Sequence, residues 1–347
     1  MINKIYRLFG RAFGKRLRFE DYAKAAIMLC PQEEQEVQTG VYLPEHLQRI
    51  TGATINCVLS TTMERMHQTH MIHAPTIMYQ LGKTRLFGGG LWTYQHQFIG
   101  RRVDRNDQLA PVNLKQAVLS DSDVGTEYFG HWMREVLPAS FVGTPEIPSL
   151  SLRMPPHTHA AGYAAITKMH TLYANQGLVE NLCFLSDFSQ NSYKLQRYLK
   201  VRENLKHSLD LKEISYKRVF IARGQSGSKR TLLNENEVIR HLQSKGFDVI
   251  YPEKMTSEDI ARRLWNAKIV VTVEGSAQNH AIYSMAASGA LLLLQPPSRF
   301  GIIIKGACDC MGIGWGFYVC APSNDGEGFY VDDFADLDKV MDKLQSR

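Results

Sequence analysis

The sequence predicts an α/β protein of two domains, and three observations lead to this prediction. At about 150 residues per domain, a chain of 347 residues can form two domains with sizeable cores. From residue 218 onward, short apolar runs alternate with helical patterns, as in a parallel sheet wound by helices. The composition is 44% hydrophobic and 21% charged, which excludes a disordered or fibrous chain.

The second half carries the clearer pattern. Its predicted strands cover residues 219–222, 247–251, 269–273, 290–294 and 317–319. Asn234 and Glu237 have capping-box spacing at the start of the first helix, and Gly246 follows its end. We also expect a helix that ends at residue 289 and a last helix with an apolar stripe over residues 334–344. This order predicts a doubly wound α/β domain.

The first half gives weaker signals. Its predicted strands lie at 76–79, 85–87 and 117–119, and its predicted helices at 128–137, 160–175 and 193–209. A linker is expected near residues 210–217. The predicted organisation is therefore a basic segment at 1–20, a first domain at 21–210 and a second domain at 211–347. The last helix is a candidate for packing back on the first domain.

The N-terminal segment holds part of the net charge of +6. Residues 1–18 include six basic side chains and no acidic one, interleaved with apolar residues at roughly helical spacing. This pattern is typical of a basic amphipathic helix on an anionic membrane surface. A helix packed on its own domain and a frayed terminus remain alternatives. No nucleic-acid motif accompanies the basic residues, so nucleic acid is not an expected partner.

Cysteine usage and hydropathy bear on the compartment. None of the six cysteines has the spacing of a CxxC pair, so reduced and mostly buried thiols are expected. No apolar run approaches the roughly 18 residues of a membrane span, and the first residues lack the apolar region of a secretory signal. We therefore expect a cytoplasmic protein that reaches the inner membrane face, if at all, peripherally.

A basic loop follows the predicted strand at 219–222. Residues 223–230 combine two glycines with the cations Arg223, Lys229 and Arg230. Backbone N–H groups and cationic side chains of this kind suit a phosphate or diphosphate. The loop lacks the Gly-Lys-Ser/Thr of a Walker A motif. An ordinary solvated basic loop is the alternative.

Two further motifs could carry chemistry. Gly275 and Ser276 follow Glu274 at the end of the predicted central strand, where a helix N-terminus would favour an anion; alternatively, Ser276 serves only as an N-cap. His131 and Glu135 lie four residues apart on one predicted helix face. A histidine there is a candidate general base for a hydroxyl, or is held by Glu135 for structural reasons.

Metal motifs are weak. Asp121, Ser122 and Asp123 superficially fit a DxD metal motif, which a three-residue match can produce by chance. His67, His70 and His73 drift around a helix and have no carboxylate or cysteine to complete a set. We therefore expect no metal cofactor.

Taken together, these segments resemble glycosyltransferase family 61. The likeness of the C-terminal part rests on residues 223–230, 233–235, 274–276 and 279–280, and that of the N-terminal motif on residues 131–132, 135 and 137–138. Residues 295–300, with the sequence QPPSRF, are similar to bacterial members associated with capsular polysaccharide biosynthesis. The resemblance covers residues 125–300 in patches.

The resemblance implies a GT-B-like fold, with two Rossmann-like domains facing a cleft. It also implies inverting sugar transfer from a nucleotide-sugar donor to a glycan or lipid-linked glycan acceptor, without a metal. The donor site implied in the second domain comprises Arg223, Arg230, Asn234, Glu274, Gly275, Ser276 and His280. His131 and Glu135 match the acceptor-side motif and are the candidate catalytic residues. Glu274 departs from the histidine of many eukaryotic relatives.

Two other functions remain open from the sequence. A catalytically inactive nucleotide- or glycan-binding protein could use the same scaffold, and so could another nucleotide-sugar enzyme such as an epimerase. The resemblance favours transfer over both.

Overall fold

The computed structural model describes residues 19–54, 57–87, 90–93, 98–99, 109–212, 217–224, 231–326 and 328–347. The basic segment at 1–18 and the loop residues 225–230, which include Arg230, lie outside the described residues. The chain forms two compact units. One unit contains Met1–Glu33 and His73–Arg197, and the other contains Glu34–Ile72 and Tyr198–Arg347.

The described strands are numbered in chain order. They are β1 Ala25–Cys30, β2 Glu33–Glu36, β3 His70–His73, β4 Thr76–Phe87, β5 Gly90–Thr93, β6 Phe98–Ile99, β7 Val112–Leu119, β8 Ser149–Ser151, β9 Thr171–Tyr173, β10 Gly177–Ser186, β11 Arg218–Ile221, β12 Phe247–Ile250, β13 Ile269–Val273, β14 Ala290–Gln295, β15 Gly314–Val319, β16 Ala321–Pro322 and β17 Phe329–Tyr330.

The described α-helices are numbered in the same way. They are α1 Phe19–Tyr22, α2 Leu59–Met66, α3 Asp123–Glu127, α4 Phe129–His131, α5 Leu137–Ala139, α6 Thr158–Ile166, α7 Ser192–Ser208, α8 Glu235–Ser244, α9 Ser257–Leu264, α10 Lys305–Met311 and α11 Phe334–Gln345. A π-helical turn covers Trp132–Val136. The described 3₁₀ turns cover Pro44–Arg49, Ser140–Val142, Pro252–Lys254, Ser276–His280 and Pro297–Arg299.

The first unit is built on an eight-stranded mixed sheet. Its order is β6-β5-β4-β10-β7-β8-β9, and β1 pairs with β4 outside this path. From β10 to β9 the neighbours run parallel, whereas β1, β5 and β10 are antiparallel to β4. Parallel neighbours need crossover connections, and helical segments supply them after β7 and β8. The expected α/β fold is confirmed, but this sheet is mixed instead of the parallel sheet of a Rossmann-like domain.

The second unit contains a parallel sheet of five strands in the order β12-β11-β13-β14-β15. Counted along the chain, this is the order 2-1-3-4-5 of a doubly wound fold. Strands β13 and β14 are buried along their whole length, as expected of central strands covered on both faces. The doubly wound prediction for the second half is confirmed.

The division of the chain differs from the boundary predicted near residue 210. Residues Glu34–Ile72 belong to the second unit, where Val41 pairs with Gly316 and joins the apolar core of the sheet. The division between Arg197 and Tyr198 falls inside α7. From Tyr198 onward the chain belongs to the second unit, where Tyr198 packs edge-on against Tyr283. The last helix, α11, buries its apolar stripe in the core of the second unit, where Val41 and Leu43 of the predicted first domain join the same core.

Among the described helices, none combines the length and the apolar character needed to cross a bilayer. All six cysteines are free thiols, and five of them are buried.

Candidate functional site

The first unit presents His131 and Glu135 on a helical segment with an unusual wide turn. Helices α4 and α5 are joined by the π-helical turn, in which the Leu137 N–H donates to the Trp132 carbonyl. Pro138 follows directly, has no N–H to donate and would crowd the carbonyl of Arg134 in a regular helix. A π-helical turn before Pro138 relieves this conflict, and such turns are frequent at functional sites.

The predicted pairing of His131 with Glu135 is present. His131 Nδ1 lies 2.5 Å from Glu135 Oε1, and both side chains are partly exposed. The Ser122 hydroxyl donates to Glu135 Oε2 at 2.9 Å and accepts from the Gly125 N–H at 2.9 Å. Both oxygens of the carboxylate therefore have partners, which fixes its orientation.

The charge state of Glu135 determines what His131 can do. Burial by itself would raise the pKa of Glu135, but the hydrogen bonds and charge of His131, with help from Arg134 and Ser122, hold it below its ordinary value. An ionised carboxylate only accepts hydrogen bonds, so we assign the donated proton to His131 Nδ1. Nε2 is then the ring nitrogen that can accept a proton from a ligand.

A buried ionic cluster in the same unit was not found from the sequence. Arg197 donates two hydrogen bonds to the Asp187 carboxylate at 2.8 and 2.9 Å, and Lys194 Nζ lies 3.3 Å from it. Burial lowers the pKa of Lys194, with the Asp187 charge opposing this shift, and the charge of Glu135 also reaches Lys194. These residues join the end of β10 to α7, and no local sequence motif identifies such a contact.

The second unit presents its candidate residues at the switch point of the sheet. Strands β11 and β13 are parallel neighbours, with Ile221 opposite Thr272, and the strand order reverses between them. Arg223 follows the carboxyl end of β11, and Glu274 follows β13 with its N–H bonded to the Leu294 carbonyl at 3.0 Å. Ligands of open α/β sheets bind at the carboxyl ends of strands at such a point.

The chain after Glu274 differs from the predicted helix. Gly275 has φ 147°, a conformation that side chains other than glycine rarely adopt, and it takes the cap position before the Ser276–His280 turn. Turns follow up to residue 289 in place of the expected helix. The Asn279 amide donates to the Ser276 carbonyl at 3.0 Å, and such local bonds compete with helix formation.

The side chains of this turn divide by exposure. Ser276 is exposed, and Gly275 takes the N-cap position in its place, which does not support the cap-only alternative. Gln278 and His280 are buried, with 6% and 2% of their surface exposed. Ser276 is therefore the exposed side chain of the turn.

Carboxylates surround Arg223. Burial lowers the pKa of its guanidinium, and the charges of Glu235, Glu253 and Glu274 oppose this shift. The Arg223 N–H donates to Glu235 Oε1 at 2.6 Å. Burial raises the pKa of Glu235, and the negative charge of Glu253 raises it further. The N–H group and the positive charge of Arg223 oppose this increase. The start of the basic loop is thus fixed by acidic residues.

Asn234 has structural partners. Its amide donates to the Val331 carbonyl at 2.8 Å and accepts from the Val331 N–H at 3.1 Å, as a paired strand residue would. It also reaches Glu237 at 3.3 Å, without an N-cap bond to the helix backbone. These bonds hold the segment before α8 and give Asn234 a structural task.

The structure thus brings Arg223, Glu274, Gly275 and Ser276 to one edge of the second sheet. Glu253 and Arg299 were not among the predicted donor-site residues, although Arg299 lies in the segment 295–300 that carries part of the resemblance, and each lies in a turn that follows a correctly predicted strand. Arg223 was selected because ligands bind at the carboxyl ends of the strands, and this rule applies equally to Glu253 and Arg299. Within the described residues, no group of three His, Cys, Asp or Glu side chains is placed to hold a metal ion.

One family model matches part of the chain. The family model described as Glycosyltransferase 61 matches residues 129–292, a little under half of the chain. The matched segment begins at α4, before His131, and ends on β14, so it includes Arg223 and the turn after Glu274. This protein is a glycosyltransferase. Within that class, residues 129–292 are similar to family 61; a search of curated proteins found no match.

Proposed function

We propose that the protein is an inverting glycosyltransferase that moves a sugar from a nucleotide-sugar donor to a glycan or lipid-linked glycan acceptor. The proposal includes a GT-B arrangement, with the acceptor on the first unit and the donor on the second, and a role in surface or capsular polysaccharide biosynthesis. The observation that carries it is the His131–Glu135 pair, in which a carboxylate orients an imidazole whose Nε2 can accept a proton.

The proposed reaction is a single displacement. His131 Nε2 takes the proton of the acceptor hydroxyl while the hydroxyl oxygen forms a bond to the anomeric carbon. The bond from that carbon to the diphosphate oxygen breaks on the opposite face, and the nucleoside diphosphate leaves with the electron pair. The anomeric configuration is therefore inverted. Glu135 stabilises the imidazolium that forms, because its carboxylate remains ionised at neutral pH.

The donor is assigned to the carboxyl edge of the second sheet. Arg223 and Arg230 supply positive charge to the diphosphate in place of a metal, and the Gly275 N–H and Ser276 hydroxyl add donors. The nucleoside would lie near the turn after β12, where Glu253 suits ribose hydroxyls. Glu274 is proposed to face the donor sugar, and the buried His280 to support the turn.

The proposed location is the cytoplasmic face of the membrane. The six basic residues at 1–18 and their apolar neighbours favour an anionic lipid surface. A lipid-linked acceptor would be presented at the same surface.

Turnover with a panel of nucleotide sugars tests this function. Release of a nucleoside diphosphate with growth of a glycan supports transfer. Donor binding without release would indicate the inactive binding protein, and an altered free nucleotide sugar without a glycan product would indicate an epimerase.

A further inference from the structure

Arg299 lies on the 3₁₀ turn Pro297–Arg299, directly after β14. Strand β14 is the parallel neighbour of β13, with Leu294 opposite Val273. The turn therefore follows the carboxyl edge that also carries Arg223 and Glu274. This position lies beyond the segment matched by the family model, which ends at residue 292.

The turn is held rigidly from two sides. The Pro297 carbonyl accepts from the Thr51 and Gly52 N–H groups, and the Phe300 N–H donates to the Gly52 carbonyl at 2.9 Å. The buried amide of Gln295 bonds both backbone groups of Gly301, at 2.7 and 3.2 Å. Backbone bonds thus fix the chain on both sides of Arg299, so its position is set before any ligand arrives.

The guanidinium on this turn lacks the partners that a half-buried arginine usually has. Arg299 Nε is buried, and in the part of the chain that the structure describes neither a hydrogen-bond acceptor nor a carboxylate pairs with this side chain. An arginine remains charged in proteins, and a buried donor without an acceptor is unfavourable. An oxygen-rich anion would satisfy both its charge and its donors.

Arg223 is close enough to feel this charge. The positive charge of Arg299 adds to the burial that lowers the pKa of Arg223. Two guanidinium groups that repel one another at one sheet edge are stabilised when an anion lies between them.

We propose that Arg299 is a further guanidinium of the donor site, which binds the diphosphate of the nucleotide sugar together with Arg223. Residues 51–54 act as positioning residues for its turn. The inference rests on the proposed donor site and adds to it a residue outside the matched family segment. A diphosphate has two phosphoryl groups, so two guanidinium forks can each bind one of them.

Calorimetric binding of inorganic pyrophosphate to the full chain tests the proposal. Arg299→Gln should weaken pyrophosphate binding about 10- to 100-fold, the usual effect of losing a charged hydrogen-bonding partner. Arg299→Lys keeps the positive charge but loses the two-pronged guanidinium, so its affinity for pyrophosphate should lie between those of the wild type and Arg299→Gln. Arg240→Gln, an exposed arginine of α8 in the same unit, is the matched control and should bind as the wild type does.

Gly52→Ala tests the supporting segment without removing any charge. A Cβ at Gly52 would lie 2.6 Å from the Ser298 carbonyl oxygen, so the turn must move. We expect weaker pyrophosphate binding with unchanged far-ultraviolet circular dichroism. If Arg299→Gln does not fold, Arg299→Lys and Gly52→Ala decide the question by the same measurement.

Failure of the inference can be told from failure of the proposed function. If the wild type binds pyrophosphate and Arg223→Gln abolishes binding while Arg299→Gln retains it, the role of Arg299 is wrong and the donor site stands. If the wild type binds neither pyrophosphate nor UDP, GDP or dTDP, both proposals are contradicted.

Discussion

The carboxylate of Glu135 connects His131 to Ser122, which in turn caps α3. This chain of hydrogen bonds orients the imidazole through one contact over four positions, between His131 and Glu135, and one over thirteen positions, between Ser122 and Glu135. The orientation depends on the charge of Glu135, since a protonated carboxyl would no longer be restricted to accepting. Acidic pH should therefore disrupt the pair before it disrupts the sheet behind it.

Replacing Glu135 by Gln gives a pH-dependent loss of stability. The pKa of Glu135 lies below its ordinary value of 4.5 in the folded protein, so its stabilising effect is complete above that value and declines as the pH falls through the lower folded pKa. The thermal midpoint of Glu135→Gln should lie below that of the wild type at pH 7, and the difference should shrink below pH 4.5. Glu127→Gln, an exposed glutamate of α3, is the control; a difference that does not depend on pH would contradict the assigned charge state.

Individual site residues were predictable where one local rule sufficed. The i, i+4 spacing of His131 and Glu135 and the position of Arg223 after a strand are both local properties. The carboxylates around Arg223 lie after β12, on α8 and after β13, and these segments meet only in the folded sheet. The amide of Asn234 was predicted as part of a helix cap, yet it pairs with Val331, 97 positions further along the chain.

Strand β10 is the centre of the first sheet and begins at a constrained residue. It pairs with β4 on one side and β7 on the other. Gly177, its first residue, has φ 125° and lies opposite Val112 of β7. A Cβ at this position would lie 1.9 Å from the Val112 carbonyl oxygen, closer than atoms can approach.

Gly177→Ala should therefore destabilise the first unit by about 3 kcal/mol, from backbone strain together with displacement of β7. Gly246→Ala is the matched control, because Gly246 has φ 80° but no atom within 4 Å of a Cβ. It should cost only about 1 kcal/mol of backbone strain. Urea unfolding measures the free energy of unfolding of the two variants and of the wild type. Equal decreases for the two variants would show that the contact of Gly177 with β7 does not affect stability.

Elements were predicted well in the second half and less well in the first. The strands of the parallel sheet are continuous buried apolar runs, and their sequence pattern is strong. In the first half, the predicted helix at 160–175 ends at Ile166, and strand β9 follows. Lys168, at φ 57°, marks the break, and a left-handed lysine has no signal in the sequence. The predicted strands at 76–79 and 85–87 form the single strand β4 because Gly82, at φ 74°, accommodates an irregular register.

The whole chain is organised by pairings between distant segments. Residues 34–72 precede most of the first unit in the sequence but belong to the second, where Gly52 and its neighbours support the turn of Arg299. A boundary predicted from composition cannot reveal this, because it depends on contacts such as Thr54 with Phe300. The sequence nevertheless predicted the doubly wound sheet of the second half.

Deleting residues 1–18 tests the proposed membrane contact. The truncated protein should no longer sediment with vesicles that contain phosphatidylserine, while transfer to a soluble acceptor is unchanged. Each basic residue contributes about 1 kcal/mol at an anionic surface, so binding of the full chain should weaken as salt is added. Vesicles of phosphatidylcholine alone are the control. Binding that is insensitive to salt would contradict the electrostatic contribution.

Turnover of the wild type and of His131→Ala with a nucleotide sugar selected from the panel tests the central claim most directly. The wild type should release a nucleoside diphosphate and form a glycosidic bond of inverted configuration. His131→Ala should lower kcat by about 100-fold or more, the usual contribution of a general base, with little change in donor affinity. Retained configuration, or equal kcat for the two proteins, would contradict His131 as the base of an inverting transfer.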